Sequence, residues 1–305
     1  MNDSVVLAVR SLTKRYKSIP AIDDVSFSVS KGEVVGFVGL NGAGKSTTIN
    51  IILGFLRASE GSVTLFGKAI VPENAHRSHQ RIGFASGDMS LFANLTGTQY
   101  LAFVLRRYGK TSDDRLRELI SRFEPELDKK INDLSRGNKQ KIALIAAFMA
   151  SPELVVLDEP SSGLDPLMQQ LFIELVREET ARGTTIFMSS HYLNEVVDVC
   201  SRVLLIRDGR LIKDIPAQQL MSTGGKLVHV VSRHVVRPPI AAENVVQTGH
   251  ADNFELSFTY KAEPAKLQLW LGGIPHLIDL TIADHTLESA FDDLYALETE
   301  KEANV

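Results

Sequence analysis

One glycine-rich segment constrains this chain more than any other feature: Gly39-Leu40-Asn41-Gly42-Ala43-Gly44-Lys45-Ser46. It matches the pattern G-x-x-x-x-G-K-[ST] in full. The apolar run Val34–Val38 leads into it as a buried strand, and residues 47–53 continue from it as a helix. Glycines permit backbone angles that aim successive N–H groups inward, and a helix N-terminus adds partial positive charge. The segment therefore predicts a phosphate-binding loop at a strand-to-helix turn.

Two side chains of this loop complete the prediction. Lys45 supplies a full positive charge for the β- and γ-phosphates, and the Ser46 hydroxyl can ligate Mg²⁺. By itself the motif indicates a P-loop NTPase, a class that includes kinases, GTPases and motor ATPases. A chance glycine-rich turn is the alternative, and the flanking strand and helix disfavour it. The predicted nucleotide-binding residues here are Gly39, Leu40, Asn41, Gly42, Ala43, Gly44, Lys45, Ser46 and Thr47.

The wider pattern is that of an α/β protein. Strand-length apolar runs at 34–38, 154–157 and 184–188 alternate with segments of helical spacing, which is typical of a parallel sheet buried on both faces. The opening differs, because its three β-rich runs follow one another without long helices and predict an antiparallel β subdomain. These runs are residues 5–9, 25–29 and 62–66. A mainly helical insert is expected at about 88–135.

A second, smaller domain is predicted after the α/β core. We expect an ATPase domain over residues 1–216 and a small α+β domain over 217–305, with Ile215-Pro216 and residues 222–225 as the linker between them. Its expected strands are 227–232, 254–259 and 277–282, and its expected helices are 262–271 and 287–298.

Composition limits the setting in which the chain works. The formal net charge of −4 argues against a nucleic-acid-binding protein, and the single cysteine, Cys200, excludes a disulfide within one chain. The N-terminus lacks the layout of a signal peptide, and the longest apolar run, 142–150, is shorter than the ~20 residues that span a bilayer. Any work at a membrane would therefore need a partner.

A second apolar run ends in two acidic residues, Asp158 and Glu159. An acid at the end of such a strand holds the Mg²⁺ shell in P-loop enzymes, and the next acid can act as a base toward an attacking water. Two solvated surface acids are the alternative, which the nearby phosphate-binding motif disfavours. We therefore predict Asp158 as a metal ligand with Ser46, and Glu159 as a catalytic residue.

Further motifs in the same order resemble those of the ATP-binding cassette family. Leu134-Ser135-Arg136-Gly137-Asn138 resembles the L-S-G-G-Q signature, with Arg136 and Asn138 as departures. Residues 162–165 look like the D-loop and add Asp165 to the predicted nucleotide-binding set. Ser189-Ser190-His191 looks like the switch histidine, and Tyr16 stands where the family places an aromatic under adenine. For Tyr16, an aromatic on a β-sheet face is the alternative. The resemblance covers roughly residues 5–215.

The resemblance implies a head-to-tail pair of chains, either two copies or one copy with a similar subunit. ATP and Mg²⁺ on one P-loop would be covered by Ser135 and Gly137 of the other chain, and His191 would sense the γ-phosphate as a second catalytic residue. Hydrolysis would then release the clamp.

One position departs from the family where a ligand is expected. The glutamine that usually follows the strand at 82–84 falls at Gly87, which has no side chain. We hypothesise that Asp88 takes over part of its role, with Ser86 or water as alternatives.

The branch of the family is predicted from what surrounds these motifs. The insert is too short for the coiled coil of DNA-repair relatives, and there is one cassette only, so an exporter ATPase with a separate transmembrane permease is favoured. Residues 286–291 resemble the ending of such exporter cassettes, and Phe92 and Leu95 would either line the permease-docking groove or pack within the helices. We expect a peripheral protein on the cytoplasmic face of a bacterial membrane. A soluble ATPase that acts as a regulatory switch without transport is the alternative function.

Overall fold

The computed structural model describes residues 5–87, 91–109, 114–190, 193–222, 225–250 and 253–284. The chain divides into two compact units, Met1–Ala217 and Gln218–Val305. The elements of the first unit, in chain order, are β1 (Val5–Tyr16), β2 (Ile19–Ser30), β3 (Val34–Val38), α1 (Lys45–Ile52), β4 (Glu60–Leu65), β5 (Lys68–Ile70), β6 (Ile82–Ser86), α2 (Gly97–Arg107), α3 (Asp114–Phe123), α4 (Arg136–Phe148), β7 (Leu154–Asp158), α5 (Pro166–Ala181), β8 (Thr185–Ser190), α6 (Leu193–Val199), β9 (Arg202–Arg207) and β10 (Arg210–Pro216).

The centre of the first unit is a six-stranded sheet in the order β10-β9-β3-β8-β7-β6. The five strands from β9 to β6 pair in parallel, and β10 pairs with β9 as an antiparallel hairpin. Every residue of β3, β7 and β8 is buried, which explains why these strands are read in the sequence as continuous apolar runs rather than alternating ones. The predicted α/β fold with a parallel sheet is confirmed.

A second sheet of the first unit has the order β2-β1-β4-β5, with antiparallel pairing throughout. This confirms the antiparallel β subdomain expected from the opening of the sequence. The helix α1 contacts both sheets. The two sheets also meet through aromatic rings, since Phe27 of β2 stacks on Phe187 of β8 with ring centroids 5.4 Å apart. The phosphate-loop helix is therefore held between two layers of one hydrophobic core.

The helical insert is fastened to the core by a buried ion pair. Arg115 of α3 donates through Nη2 to Glu179 Oε1 of α5 at 2.6 Å, and both side chains are buried. Thr184 Oγ1 donates to the other carboxylate oxygen at 3.0 Å. Breaking such a pair on one side leaves an uncompensated buried charge, so its two partners hold α3 and α5 together as a unit.

In its described residues, the second unit has a four-stranded antiparallel sheet, and the helix Pro264–Gly272 packs into its hydrophobic cluster through Leu267. Its strand order is β12-β13-β11-β14. The hydrophobic cluster of this unit includes Phe258, whose ring meets that of Trp270 edge-on at 5.1 Å. The elements, in chain order, are α7 (Ala217–Ser222), which spans the boundary between the units, then β11 (Lys226–Ser232), β12 (Ala242–His250), β13 (Asn253–Tyr260), α8 (Pro264–Gly272) and β14 (Leu277–Asp284).

Ile215 and Pro216 were expected in a linker, but they end β10 and pair with Val203 and Arg202 of β9. That expectation was wrong, because an edge strand accepts a proline that a central strand would exclude. The helix expected at 287–298 lies outside the described residues.

A buried carboxyl group ties α6 to two loops of the first unit. Glu195 Oε2 accepts from Ser190 Oγ at 2.8 Å and from Ser161 Oγ at 3.0 Å. Burial raises the pKa of Glu195 to about 7, although the two serine hydroxyls oppose the rise, and the charge of Glu159 adds to it. The carboxyl group thus links the segment after β7 to the end of β8. Its burial lowers the stability of the fold more when the group is ionised than when it is protonated.

This linkage predicts a pH-dependent effect of Glu195→Gln on stability. The folded pKa lies above the unfolded value of 4.5, so the penalty of burying the carboxylate is absent at low pH and complete above the folded pKa. The free energy of unfolding of the variant, relative to the parent, should therefore increase by roughly 2 kcal/mol between about pH 5.5 and pH 8.5. Urea unfolding across that range measures it.

Glu124→Gln, at an exposed position, is the matched control and should give a flat difference. A difference that is also flat for Glu195→Gln would show that no charge is buried at this position.

Candidate functional site

The glycine-rich loop joins the end of β3 to the start of α1 in a tight turn. Gly42 and Gly44 have φ of 87° and 105°, a region that side chains other than glycine rarely adopt. A Cβ atom at Gly39 would lie 2.3 Å from the Ile206 carbonyl oxygen, and one at Gly44 would lie 2.7 Å from the Ala21 carbonyl oxygen. Because neither collision can be relieved by a rotamer change, glycine is required at both positions.

Lys45, the first residue of α1, turns back across this loop. Its side chain is 5% exposed, and Nζ donates to the carbonyl oxygens of Gly39 at 2.8 Å and Leu40 at 3.3 Å. The same ammonium group lies 3.3 Å from Glu159 Oε1. The loop therefore holds its cation in a fixed place, next to the carboxylate that follows β7.

Two acids end β7, and Ser189 of the neighbouring strand β8 fixes both. Ser189 Oγ donates to Asp158 Oδ1 at 2.5 Å. The backbone N–H of Glu159 donates to the Ser189 carbonyl oxygen at 3.2 Å, with Oγ also in reach at 3.1 Å. Glu159 has a φ of 52°, in the left-handed region, so the chain turns sharply directly after β7.

These side chains converge on one cavity of about 610 Å³. Ser46, Asp158 and Glu159, the residues that the sequence suggests as metal ligands and catalytic base, line it together. Its walls also include Asn41, Ser86 and Arg136. The cavity thus has a hydroxyl and two carboxylates in its lining, and the Lys45 ammonium group lies 3.3 Å from one of these carboxylates, that of Glu159. These are groups that phosphoryl transfer uses.

Two oxygen groups of this cavity fit a Mg²⁺ ion whose remaining ligands come from water and a nucleotide. Ser46 supplies a hydroxyl and Asp158 a carboxylate. Among the residues that the structure describes, no group of three or more His, Cys, Asp or Glu side chains is arranged to hold a metal. Mg²⁺ commonly takes one or two protein oxygens and completes its shell with water and substrate phosphate, so these two residues fit a nucleotide-borne Mg²⁺.

Gly87 has a steric reason to lack a side chain. A Cβ atom there would lie 2.9 Å from the Glu159 carbonyl oxygen and 3.0 Å from Ser162 Cβ. Its N–H donates to the Asp158 carbonyl oxygen at 2.8 Å, which fixes the backbone against this wall. The glutamine expected from the family therefore has no room at this position. Ser86 lines the cavity, and Asp88 lies outside the described residues, so its suggested role stays a hypothesis.

The signature segment lies elsewhere. Ser135 is the N-cap of α4, with Oγ accepting from the Asn138 N–H at 3.3 Å. Ser135, Gly137 and Asp165 line a separate surface cleft that does not include Ser46 or Glu159. Asp165 also caps α5, because Oδ1 accepts from the Met168 N–H at 2.9 Å. Within one chain, the two predicted halves of the site therefore remain apart.

Two other predicted residues do not line the cavity. Tyr16 ends β1 with a side chain 51% exposed, and Lys14 Nζ lies 5.2 Å from its ring centroid. Both readings of Tyr16, an adenine platform and an aromatic on a sheet face, remain compatible with that position. His191 lies outside the described residues.

Sequence reasoning missed the side chains that brace the site from behind. Gln140 of α4 is buried and donates to the Pro160 carbonyl oxygen at 2.6 Å, and Glu195 joins Ser161 to Ser190. Neither residue stands out in its local sequence, since Gln140 lies between Lys139 and Lys141 and Glu195 follows Asn194. For Arg136 the signal was its departure from the signature pattern.

Comparison with known proteins assigns the family. A family model described as ABC transporter matches residues 22–162. The bacitracin transport ATP-binding protein BcrA of Bacillus licheniformis is 29% identical over 300 residues, covering 94% of this chain and 96% of that protein. The Nod factor export ATP-binding protein I of Burkholderia orbicola (strain AU 1054) is 32% identical over 280 residues, covering 88% and 90%.

A solved structure agrees on the fold. The dimeric structure of MJ0796, a bacterial ABC transporter cassette, has a TM-score of 0.64 and 24% identity, and the likeness covers 69% of this chain and 98% of that chain. Among the described residues, no helix is both long and apolar enough to cross a bilayer. The chain belongs to the ABC transporter family, as one of its ATP-binding and ATP-hydrolysing subunits.

Proposed function

We propose that this chain powers export through a separate membrane-spanning partner. The observation that carries the proposal is the convergence of Ser46, Asp158 and Glu159 on one cavity beside Lys45. Export itself is supported by relatives whose names describe transport or export. The cargo would be selected by the partner, and the chain would supply the work of ATP hydrolysis.

The residues of the cavity suggest how this chain acts on ATP. The loop N–H groups and Lys45 would bind the β- and γ-phosphates, and Ser46 and Asp158 would hold Mg²⁺, which neutralises phosphate charge. Since Lys45 already lies 3.3 Å from Glu159, a phosphate would compete with that carboxylate for the ammonium group. Glu159, once displaced, would accept a proton from the attacking water.

Changing Glu159→Gln should reduce hydrolysis by at least about 100-fold while ATP binding is kept, because the amide cannot accept the proton. Phosphate release and equilibrium nucleotide binding measure the two effects. Glu174→Gln, on the outer part of α5, is the control and should behave as the parent. An unchanged rate would remove Glu159 from the catalytic role.

We further propose that two chains pair head to tail. In one chain, Ser135 and Gly137 face a different cleft from the one that Ser46 and Glu159 line. A second copy, rotated so that each signature segment covers the other copy's phosphate loop, would complete both sites at once. Such an isologous pair has two equivalent sites. Ser135 Oγ and the N-terminus of α4 would then add donors to the open side of the γ-phosphate.

A mixing experiment tests this arrangement. Lys45→Ala and Ser135→Ala chains should each be nearly inactive alone. Mixed in equal amounts, they should recover roughly a quarter of the parent rate, because half of the dimers are then mixed and each carries one intact site. Steady-state ATPase assays measure the recovery.

The matched control mixes Lys45→Ala with Glu159→Gln. Both of these changes lie on the phosphate-loop side, so a mixed dimer has one defect in each site and should recover nothing. Recovery in the control, or none in the test mixture, contradicts the head-to-tail pairing.

For the membrane partner we propose a docking groove beside α2. A cleft of about 600 Å³ has an apolar floor that includes Phe55, Phe84 and Tyr100, and its rim carries the exposed Arg106 and Arg107. Such a cleft fits a short amphipathic helix with acidic side chains. Phe92 packs edge-on against Phe103 at 5.2 Å, which supports the helix-packing interpretation of that residue.

Reversing the rim charge with Arg106→Glu and Arg107→Glu together should lower co-purification with the membrane partner by at least about tenfold, without changing the ATPase rate of the isolated chain. The tagged chain is isolated from solubilised host membranes, and the partner is identified by mass spectrometry. Arg117→Glu, on the exposed side of α3, is the control. Equal recovery of the partner by all three proteins would exclude this groove.

The second unit is proposed to stabilise the dimer or to regulate it. That role stays a prediction, which truncation before Gln218 would test through dimerisation and coupled transport: normal assembly and transport by the truncated chain would exclude it.

A further inference from the structure

Arg136 occupies a position of the signature segment that has a consequence within its own chain. It is the third residue of Leu134-Ser135-Arg136-Gly137-Asn138 and the first residue of α4. Its neighbours Ser135 and Gly137 line the outer cleft, whereas Arg136 lines the cavity that contains Ser46, Asp158 and Glu159. Consecutive residues at the start of α4 thus face two different sites.

The arginine is held in this direction by close packing and a hydrogen bond. Nη2 donates to Ser162 Oγ at 2.8 Å. Its side chain lies across Gly163, where a Cβ atom would meet Arg136 Cδ at 3.1 Å and Nε at 3.3 Å. Gly137 approaches the same turn, since a Cβ atom there would lie 2.9 Å from the Gly163 carbonyl oxygen. The helix start and the turn after β7 therefore pack backbone against backbone.

The opposite wall of the cavity depends on the same serine. A side chain at Gly87 would collide with Ser162 Cβ, at 3.0 Å, so the place of the missing glutamine is closed by the residue that binds Arg136. The cavity wall thus has glycine where the family has a polar side chain, and arginine where the family signature has glycine. These two departures meet at one residue.

The charges around the cavity indicate which kind of ligand Arg136 would bind. Asp158 and Glu159 both face it, and Lys45 lies against Glu159 at 3.3 Å. A triphosphate would bring more negative charge into the cavity than a diphosphate does. A guanidinium group binds phosphate oxygens through two parallel N–H donors, which a lysine cannot do.

We propose that Arg136 binds the γ-phosphate of ATP held by the loop of its own chain, and so distinguishes ATP from ADP in cis. This inference rests on the proposed use of that cavity as the ATP site. The start of α4 then serves two nucleotides: Ser135 and Gly137 face the partner's ATP, and Arg136 faces the chain's own. Loss of the γ-phosphate would remove this contact and leave the hydrogen bond from Arg136 to Ser162 in place.

The test measures binding of a non-hydrolysable ATP analogue and of ADP, each with Mg²⁺, at protein concentrations where sedimentation shows a monomer. Arg136→Ala should weaken binding of the ATP analogue about tenfold, the loss expected for a charge-assisted contact, and change ADP binding less than about twofold. Arg136→Lys should fall between the parent and the alanine variant. Arg117→Ala is the matched control and should bind both nucleotides as the parent does.

ADP binding also reports that each variant is folded. Equal losses for both nucleotides, or no loss for the ATP analogue, would overturn the assignment of Arg136 while leaving the ATP site in place. A parent protein that binds neither nucleotide would instead overturn the proposed function itself, and this inference with it.

Discussion

The rest of this molecule depends on the close packing of the glycine-rich loop between the two sheets. Gly39 lies against the Ile206 carbonyl at the end of β9, and Gly44 lies against the Ala21 carbonyl of β2. A side chain at either glycine would push the layers apart. The same close packing fixes the turn of the loop at which Lys45 begins α1, so the packing of the fold and the binding of phosphate cannot be changed separately.

Around this loop, hydroxyl groups keep the acids in place. Ser189 Oγ donates to Asp158 and accepts from the backbone N–H of Glu159. Glu195 accepts from the hydroxyls of Ser161 and Ser190. The strands β7 and β8 are parallel neighbours, so their carboxyl ends place these residues at the same end of the sheet. The acidic groups are thus oriented by the core rather than by flexible surface loops, which suits a site that must bind and release phosphate repeatedly.

Local pattern predicted most of this arrangement, and long-range packing decided the rest. The loop, the buried strands and the two acids are each formed by contiguous residues. Glycine spacing and apolar runs are therefore enough to predict them. The sequence did not predict that Ser162 closes the space beside Gly87 or that Arg136 faces inward, since both depend on segments far apart in the chain. The linker expected at Ile215-Pro216 was wrong for a similar reason. These residues are in a strand because they pair with β9.

In the proposed pair, the packing of α4 offers a route by which hydrolysis at one nucleotide site could affect the other site. The first residues of α4 pack on the turn at Gly163, and that turn follows Glu159 by only a few residues. In the proposed pair, α4 begins with one side chain toward its own nucleotide and two residues toward the partner's nucleotide, so a movement of this helix start for one nucleotide would also affect the other. Allosteric coupling requires such a shared element, whose position both ligands bias. In the proposed pair, the shared element would be the backbone contact between Gly137 and Gly163, where a Cβ atom on Gly137 would lie 2.9 Å from the Gly163 carbonyl oxygen.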